Sequence, residues 1–282
     1  MDGLRVEAPA KVNMALDITG IREDGYHLMR MINFSVDLED ELILEPADDL
    51  FFECDTPGIP SDASNLVMRI ALALKKRYGV HAGARMILKK AIPAQAGLAG
   101  GSADGAAALM GLNRLWGLEL PPEELTAFGT GIGADIPYCC FNRPALVEGI
   151  GDVITPLDNF PSFSVLGVKP PVAISTPWAF ARMDERGIAA HPDMDGLVQA
   201  IRQGDEQAVI RKAANVFEPM VFEAYPAVGA IRDSLLDQGA LFSVMSGSGS
   251  TVIGYFRTAE EASRCRQAYD NGKNVTFVAE IR

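Results

Sequence analysis

The segment IPAQAGLAGGSADGAAALMG, residues 92–111, constrains the fold more than any other stretch of this chain. Gly97, Gly100 and Gly101 fall within five positions, immediately before an alanine-rich run that predicts a helix. A tight turn needs one glycine, whereas three leave the backbone open to close approach by another group. A glycine loop that opens a helix presents free N–H groups and the positive end of the helix dipole, which favours an anion. A tight connection between a strand and a helix is the simpler alternative.

Composition and charge exclude several classes of protein. The chain has 282 residues and a net charge of −12, and it contains no basic block, which disfavours binding to nucleic acid or to a membrane surface. No stretch is apolar for the roughly 20 residues that span a bilayer, and the first residues lack the apolar core of a signal peptide. The four cysteines lack metal-site spacing and are expected to be reduced thiols. We therefore expect a cytoplasmic protein.

The order of predicted elements indicates an α+β fold in two domains. Strands are expected at 4–8, at 12–19 and in MINFSVDL and ELILEP; helices follow in SDASNLVMRIALALKKRYG, DGAAALMGLNRLWGL and PPEELTAFGTGIG, and ADIPYCCF and PALVEGI are expected to return to strand. From FSVLGVKP onward the pattern fits the β-α-β-β-α-β split motif of ferredoxin-like domains. We place the boundary near residue 160, which gives domains of 1–160 and 161–282.

Two short motifs place polar side chains close together in the first domain. In APAKVNMALDITG, Lys11 and Asn13 are two residues apart in a predicted strand, so both side chains lie on the same face. In REDGYH, a turn at Asp24-Gly25 precedes Tyr26 and His27, an aromatic and an imidazole ring that could bind a planar base. A solvated strand face and an ordinary turn are the alternatives for these two motifs.

Two further loops carry candidate site residues, and the common nucleotide-binding motifs are absent. Asp135 in GADIPYCC precedes an apolar run, where a buried carboxylate would need a cation as partner. MSGSGST, residues 245–251, joins two predicted strands through small residues, either as a tight hairpin or as a second glycine wall around a ligand. The chain contains no GxxxxGK[ST] loop, so it is not a P-loop protein. The segment GTGIGA follows a predicted helix rather than a strand, so a dinucleotide oxidoreductase is disfavoured.

Together, the motifs PAKVN, DGYH, PxxxGLAGGSAD, GADIP and SGSGST, in this order, resemble the GHMP kinase superfamily. The resemblance covers nearly the whole chain. It implies an N-terminal α/β domain like that of ribosomal protein S5, a C-terminal ferredoxin-like domain and a catalytic cleft between them. DGYH, GLAGGSAD and MSGSGST together resemble one branch of the superfamily, whose members phosphorylate the 2-hydroxyl of 4-(cytidine 5'-diphospho)-2-C-methyl-D-erythritol in the non-mevalonate route to isoprenoids.

The resemblance also implies the reactants and the catalytic residues. ATP is the expected co-substrate, with Mg²⁺, and a small cytidine-diphosphate compound is the expected acceptor. Lys11 and Asp135 match the catalytic pair: Asp135 would orient or deprotonate the substrate hydroxyl, while Lys11 would keep that carboxylate ionised and stabilise the developing alkoxide. Ser102, at the mouth of the helix, would lie near the Mg²⁺. A monomer or a weak homodimer is expected.

The remaining site residues follow from the same resemblance. The positions expected to bind ATP are Asn65, Leu66, Pro93, Ala94, Gln95, Ala96, Gly97, Leu98, Ala99, Gly100, Gly101, Ser102 and Ala103. Those expected to bind the acceptor are Asn13 at its polar chain, Tyr26, His27 and Phe180 at the cytosine ring, and Thr176 nearby.

Three positions depart from the family pattern. Ala103 stands where a second hydroxyl is frequent, Gly105 replaces an alanine at a cost to the helix of about 1 kcal/mol, and residues 142–144 replace an expected Gly-Gly-Thr. Two alternatives therefore stay open. The chain could be another small-molecule kinase of the superfamily, acting on mevalonate or homoserine, or a nucleotide-binding regulator without catalytic activity.

Overall fold

The computed structural model of the protein describes residues 3–282. Within them the strands are β1 (Leu4–Ile21), β2 (His27–Ala47), β3 (Leu50–Cys54), β4 (Gly83–Lys89), β5 (Ala145–Gly149), β6 (Val153–Pro156), β7 (Ser164–Lys169), β8 (Phe242–Met245), β9 (Val252–Phe256) and β10 (Val275–Glu280). The helices are α1 (Leu66–Tyr78), α2 (Gly100–Leu115), α3 (Pro122–Thr130), α4 (Ile136–Phe141), α5 (Thr176–Arg186), α6 (Met194–Gln203), α7 (Glu206–Lys212), α8 (Glu218–Ala224), α9 (Pro226–Asp237) and α10 (Ala259–Arg266).

The contacts among the described residues divide the chain into two compact units. The first contains the residues up to Lys11 together with Leu38–Ala94 and Ala99–Asn142, and the second contains Val12–Asp37, Gln95–Leu98 and Arg143–Arg282. Both long strands, β1 and β2, contribute residues to each unit. This grouping rests on contacts rather than on the continuous segments 1–160 and 161–282, and that domain assignment stays a prediction.

In the first unit, the second half of β2 forms a small sheet with β3 and β4. β2 pairs antiparallel with β4, with Leu42 opposite Leu88 and Leu44 opposite Met86, and all four of these side chains are buried. Alternate positions point the other way and carry charges, such as Lys89, which pairs with Glu41 at 2.9 Å. The period of two in the sequence therefore separates a core face from a solvent face.

Helices α1 and α2 cover the core of this unit. Asn65 caps α1, because its side chain accepts a hydrogen bond of 2.9 Å from the N–H of Val67. α2 buries an alanine-rich surface that ends in Leu109 and Leu112. A Cβ on Gly105 would lie 3.3 Å from side-chain atoms of both Leu66 and Ile136, so the departure at this position occurs where neighbouring helices pack closely.

The second unit contains the predicted ferredoxin-like motif. Its four-stranded antiparallel sheet has the order β10-β7-β9-β8, and the chain runs β7, α9, β8, β9, α10, β10, which confirms β-α-β-β-α-β. Helices α5–α8 are inserted between β7 and α9. The first half of β2 pairs with β5 in this unit, and Leu16 of β1 forms an isolated bridge with Asn215.

Two predictions about local structure are wrong. ADIPYCCF was expected to be a strand, but Asp135 precedes the short helix α4; Pro137 lies in the first turn of that helix, where its missing N–H costs nothing. The two short runs at 4–8 and 12–19 are one continuous strand, β1. Helix α2 begins at Gly100, and Ser102 lies inside its first turn. None of the helices within residues 3–282 is long and apolar enough to cross a membrane.

Candidate active site

The glycine loop leads into α2 through an unusual backbone. Gln95, Gly97 and Ala99 have positive φ angles of 51°, 71° and 54°, a region that only glycine adopts without cost. Ala99 is the N-cap residue of α2, and no side chain caps the helix. The N–H groups of the first turn therefore lack a side-chain acceptor. They form the positive end of the helix dipole, which is the arrangement that binds a phosphate group.

A buried ion cluster holds both ends of this loop in the first unit. The ammonium of Lys90 forms ion pairs with Asp40 and, at 2.8 Å, with Asp104, and at most 9% of any of these side chains is exposed. Asp40 also accepts hydrogen bonds from the N–H groups of Ala91 (2.6 Å) and Ile92 (2.8 Å), where the loop leaves β4. Since Asp104 belongs to α2, the cluster connects the start of the loop to the helix that follows it.

The pKa values in this cluster are shifted by burial and by the neighbouring charges. Burial raises the pKa of Asp104 to about 7; the charge of Lys90 opposes this rise and the carboxylate of Asp40 adds to it. Burial by itself would lower the pKa of Lys90, but Asp104 and Asp40 outweigh it and raise that pKa. The lysine is therefore held as a cation beside the loop.

The predicted catalytic pair is brought together in the first unit. The Nζ atom of Lys11, on β1, lies 3.2 Å from Oδ1 of Asp135, which directly precedes α4. The lysine side chain is 5% exposed and the aspartate side chain 35% exposed, so the carboxylate is the accessible member of the pair. Burial raises the pKa of the adjacent Cys139 thiol well above its usual value, and the charge of Asp135 adds to this shift. That thiol is therefore a poor nucleophile.

In the second unit, the 245–251 loop packs against the glycine loop. It joins β8 to β9 as a hairpin, which confirms one of the two interpretations of MSGSGST. The hydroxyl of Ser246 donates to the carbonyl of Gly97 at 2.9 Å and accepts from the N–H of Asn13 at 3.2 Å. Asn215 donates to the carbonyls on either side of Ser246, at 2.7 and 2.8 Å. The loop is thereby fixed where it contacts the turn at Gly97.

The residues expected to bind a base also lie in the second unit. His27 contacts Phe180, with ring centroids 4.5 Å apart, and its Nε2 lies 2.7 Å from Oδ1 of Asp184. Tyr26 is 60% exposed, next to the Asp24-Gly25 turn. The hydroxyls of Thr176 and Ser248 lie 3.1 Å apart. Asn13 is fully buried, and its side-chain amide donates to Asn33 at 2.6 Å.

The geometry thus assembles several of the predicted residues, whereas their roles toward ligands stay predictions. Lys11 forms an ion pair with Asp135, and the ring of His27 contacts that of Phe180. The side chain of Asn65 is already engaged with Val67 and with the carbonyl of Pro60, so its contribution to an adenine pocket also stays a prediction.

The sequence interpretation missed Lys90, Asp184 and Ser246. Lys90 directly precedes the loop, and Asp184 lies one helical turn after Phe180, a spacing that places both on one face of a helix. Their partners are distant in sequence: Asp184 is 157 residues from His27, and Ser246 is 149 residues from Gly97. Only the spacing of Phe180 and Asp184 could have been read from the chain.

Comparison with known proteins identifies the family of the chain. Family models match residues 65–143, described as GHMP kinases N terminal domain, and residues 197–274, described as GHMP kinases C terminal. The 4-diphosphocytidyl-2-C-methyl-D-erythritol kinase of Lachnospira eligens is 38% identical over 269 residues, covering 95% of this chain and 93% of the relative. That of Acetivibrio thermocellus is 36% identical over 281 residues, covering 99% of both. A crystal structure of a 4-(cytidine 5'-diphospho)-2C-methyl-D-erythritol kinase matches with a TM-score of 0.83 and 28% identity, covering 99% of each chain.

The fold and the two matched regions define the chain as a GHMP kinase. The identities of 36–38% over nearly the full length narrow this assignment. The chain belongs to the family of 4-diphosphocytidyl-2-C-methyl-D-erythritol kinases.

Proposed function

We propose that the chain transfers the γ-phosphoryl group of ATP to the 2-hydroxyl of 4-(cytidine 5'-diphospho)-2-C-methyl-D-erythritol, giving the 2-phosphate and ADP in the non-mevalonate route to isoprenoids. The substrate is the one named by the full-length relatives. The observation that carries the proposal is the ion pair between the buried Lys11 and the accessible Asp135.

The pair supplies what transfer to a tertiary alcohol requires. The Asp135 carboxylate accepts the proton of the 2-hydroxyl as the bond from oxygen to the γ-phosphorus forms and the bond to the leaving ADP oxygen breaks. Lys11 stabilises the negative charge that develops on the attacking oxygen, and its burial keeps the ammonium in one position. Because phosphoryl transfer has a loose transition state, Asp135 would act by aligning the hydroxyl as well as by accepting its proton.

The uncapped first turn of α2 and the loop at 93–99 would bind the ATP phosphates through their N–H groups. Within residues 3–282, no group of three or more His, Cys, Asp or Glu side chains could hold a metal ion. Such a sparse donor set fits Mg²⁺, which retains waters and binds chiefly to phosphate oxygens. Ser102 would contribute its hydroxyl, and the ion would neutralise phosphate charge. Local dipoles and cations thus explain how a chain of net charge −12 could bind two polyphosphates.

The acceptor would bind through residues of the second unit. His27, Phe180 and the exposed ring of Tyr26 form the aromatic group expected at the cytosine, and Thr176 is fixed by Ser248. Asn13 would contact the polar chain of the acceptor. The cytoplasmic location and the monomeric or weakly dimeric state stay predictions; gel filtration with light scattering tests the latter.

The first test is ADP release in a coupled assay with ATP and Mg²⁺, comparing the cytidine-diphospho compound with mevalonate and homoserine. Release with the cytidine compound alone supports the proposal. Release with another alcohol would retain the kinase and reassign its substrate, and binding of ATP without release from any compound would favour a regulator.

Variants of the ion pair test the mechanism. Lys11→Met and Asp135→Asn keep the shape of each side chain, and each should lower kcat by about 10²- to 10⁴-fold. The matched controls are Lys89→Met and Asp158→Asn, which change exposed residues of the same types. Near-normal turnover in Lys11→Met or Asp135→Asn, with both controls normal, would refute the assignment of the pair.

A further inference from the structure

His27 is held on two sides by one helix. Phe180 and Asp184 are four residues apart on α5, so they share a helix face. The Phe180 ring lies over His27, with centroids 4.5 Å apart, and Oδ1 of Asp184 lies 2.7 Å from Nε2. The imidazole is 15% exposed and the carboxylate 46% exposed. The ring is therefore fixed in orientation while its carboxylate partner remains next to solvent.

This contact sets the positions of hydrogen on the neutral ring. A carboxylate oxygen only accepts hydrogen bonds, so Nε2 of His27 must carry the hydrogen that is donated to Asp184. In a neutral imidazole the other nitrogen is then an acceptor. Nδ1 of His27 makes no hydrogen bond with any of the described residues. It presents a lone pair that is available to a ligand.

We propose that Asp184 is a specificity-determining residue: by holding His27 in the Nε2–H tautomer, it selects a cytosine amino group over a uracil carbonyl. The inference rests on the proposed function, in which His27 meets the pyrimidine. The exocyclic amine of cytosine donates a hydrogen bond, which the Nδ1 lone pair accepts. Uracil carries a carbonyl oxygen at the same position, so two lone pairs would face each other and the ligand would lose a hydrogen bond.

A second histidine provides an internal control of opposite kind. His191 contacts Asp17 through Nδ1, at 2.9 Å, so its carboxylate favours the Nδ1–H tautomer. The chain has three histidines, which makes their ring nitrogens straightforward to assign by substitution. Two-bond ¹H–¹⁵N spectra of ¹⁵N-histidine-labelled protein should be recorded without ligand at pH 8, where unperturbed histidine is neutral. We expect His27 as the Nε2–H tautomer and His191 as the Nδ1–H tautomer.

Substitution of Asp184 links the tautomer to selectivity. In Asp184→Ala, the His27 signals should shift toward a mixture of tautomers while those of His191 stay unchanged. Asp184→Asn retains an acceptor oxygen and should keep more of the Nε2–H form. A wild-type His27 that carries its hydrogen on Nδ1, or signals that do not respond to Asp184→Ala, would overturn the inference.

Kinetics with the cytidine and uridine forms of the acceptor provide the second readout. The wild-type kcat/KM should favour cytidine by at least about tenfold, the value of one hydrogen bond. In Asp184→Ala, KM should rise for the cytidine compound and fall for the uridine compound, with kcat little changed, so that the preference falls about tenfold. A loss of structure would not improve the uridine compound. Glu185→Ala is the matched control, because this neighbouring carboxylate pairs with Arg182 and is 63% exposed.

The outcomes separate this inference from the proposed function. Turnover with an unchanged cytidine preference in Asp184→Ala, or an equal loss in Glu185→Ala, overturns the inference alone. No turnover of either nucleotide compound by folded wild-type protein overturns the proposed function and this inference with it.

Discussion

Replacement of Lys90 by methionine tests whether the buried ion cluster supports the glycine loop. Methionine keeps the length of the side chain but leaves the carboxylates of Asp40 and Asp104 without their cation, in a place where they are 0% and 7% exposed. Removing one partner from a buried ion pair costs about 3–5 kcal/mol. In a chain of this size that corresponds to a fall of roughly 10 °C in melting temperature. Calorimetry and urea denaturation measure both quantities.

The loss of stability in Lys90→Met should depend on pH, and the direction of this dependence follows from the raised pKa of Asp104. Burial already raises the pKa of Asp104 to about 7, and without Lys90, whose charge opposes this rise, it should rise further. The contribution of Asp104 to stability is therefore present at low pH and is lost as the pH rises through the folded-state pKa. The deficit of the variant relative to wild type should therefore grow between pH 5 and pH 8. Lys89→Met, which breaks the surface pair with Glu41, should cost no more than about 0.5 kcal/mol. A Lys90→Met deficit as small as this control, or one that does not change with pH, would refute the reasoning.

Three further substitutions test the loop, a helix cap and a buried acid. Gly97→Ala places a Cβ 2.3 Å from the carbonyl oxygen of Ser246 at a φ of 71°, so the loop must move, and kcat/KM for ATP should fall about 10²-fold in steady-state assays; an unchanged value contradicts this. Asn65→Ala removes the acceptor for the Val67 N–H and should cost about 1 kcal/mol in urea denaturation, most of which Asn65→Asp should restore. Burial raises the pKa of Glu218 to about 7, so the contribution of this group to stability is lost as the pH rises toward 7. Glu218→Gln should escape that loss and gain up to roughly 3 kcal/mol on wild type between pH 4 and pH 8; parallel stability curves would argue against it.

The sequence predicted the elements whose signals are local. Local patterns predict helices in SDASNLVMRIALALKKRYG, DGAAALMGLNRLWGL and PPEELTAFGTGIG, and the structure has α1, α2 and α3 there. The run IPYCCF failed because six apolar residues fit a buried strand and a short helix equally well. Pro137 was the signal that decides between them, since proline is tolerated in the first turn of a helix.

Part of the candidate site was also predictable, because it too has local sequence signals. Glycine spacing and the order of the motifs identified the loop, Lys11 and Asp135, which the structure places 3.2 Å apart. Asp184 and Ser246 escaped because their importance lies in partners 157 and 149 residues away. The sequence shows the loop around Ser246 and the spacing of Asp184 from Phe180, but only the folded chain shows which residues they hold in place.

Gly100 and Gly101 differ in the space that is available for a side chain. Substitutions at these two positions can therefore distinguish a glycine kept for packing from one kept for ligand binding. At Gly100 a Cβ would lie 3.0 Å from Ile92 and 3.4 Å from the ammonium of Lys90, so the Ile92 side chain would have to shift by a few tenths of an ångström. Gly101 is exposed, its φ is not positive, and the nearest atom to a Cβ is 4.0 Å away, on Leu66. An alanine at 101 should therefore stabilise α2 by about 0.5–1 kcal/mol, whereas Gly100→Ala should gain less because Ile92 has to shift. If a phosphate approaches this backbone, Gly101→Ala should nevertheless raise KM for ATP severalfold. A variant that gains stability and binds ATP normally would show that no phosphate approaches the backbone at Gly101 closely.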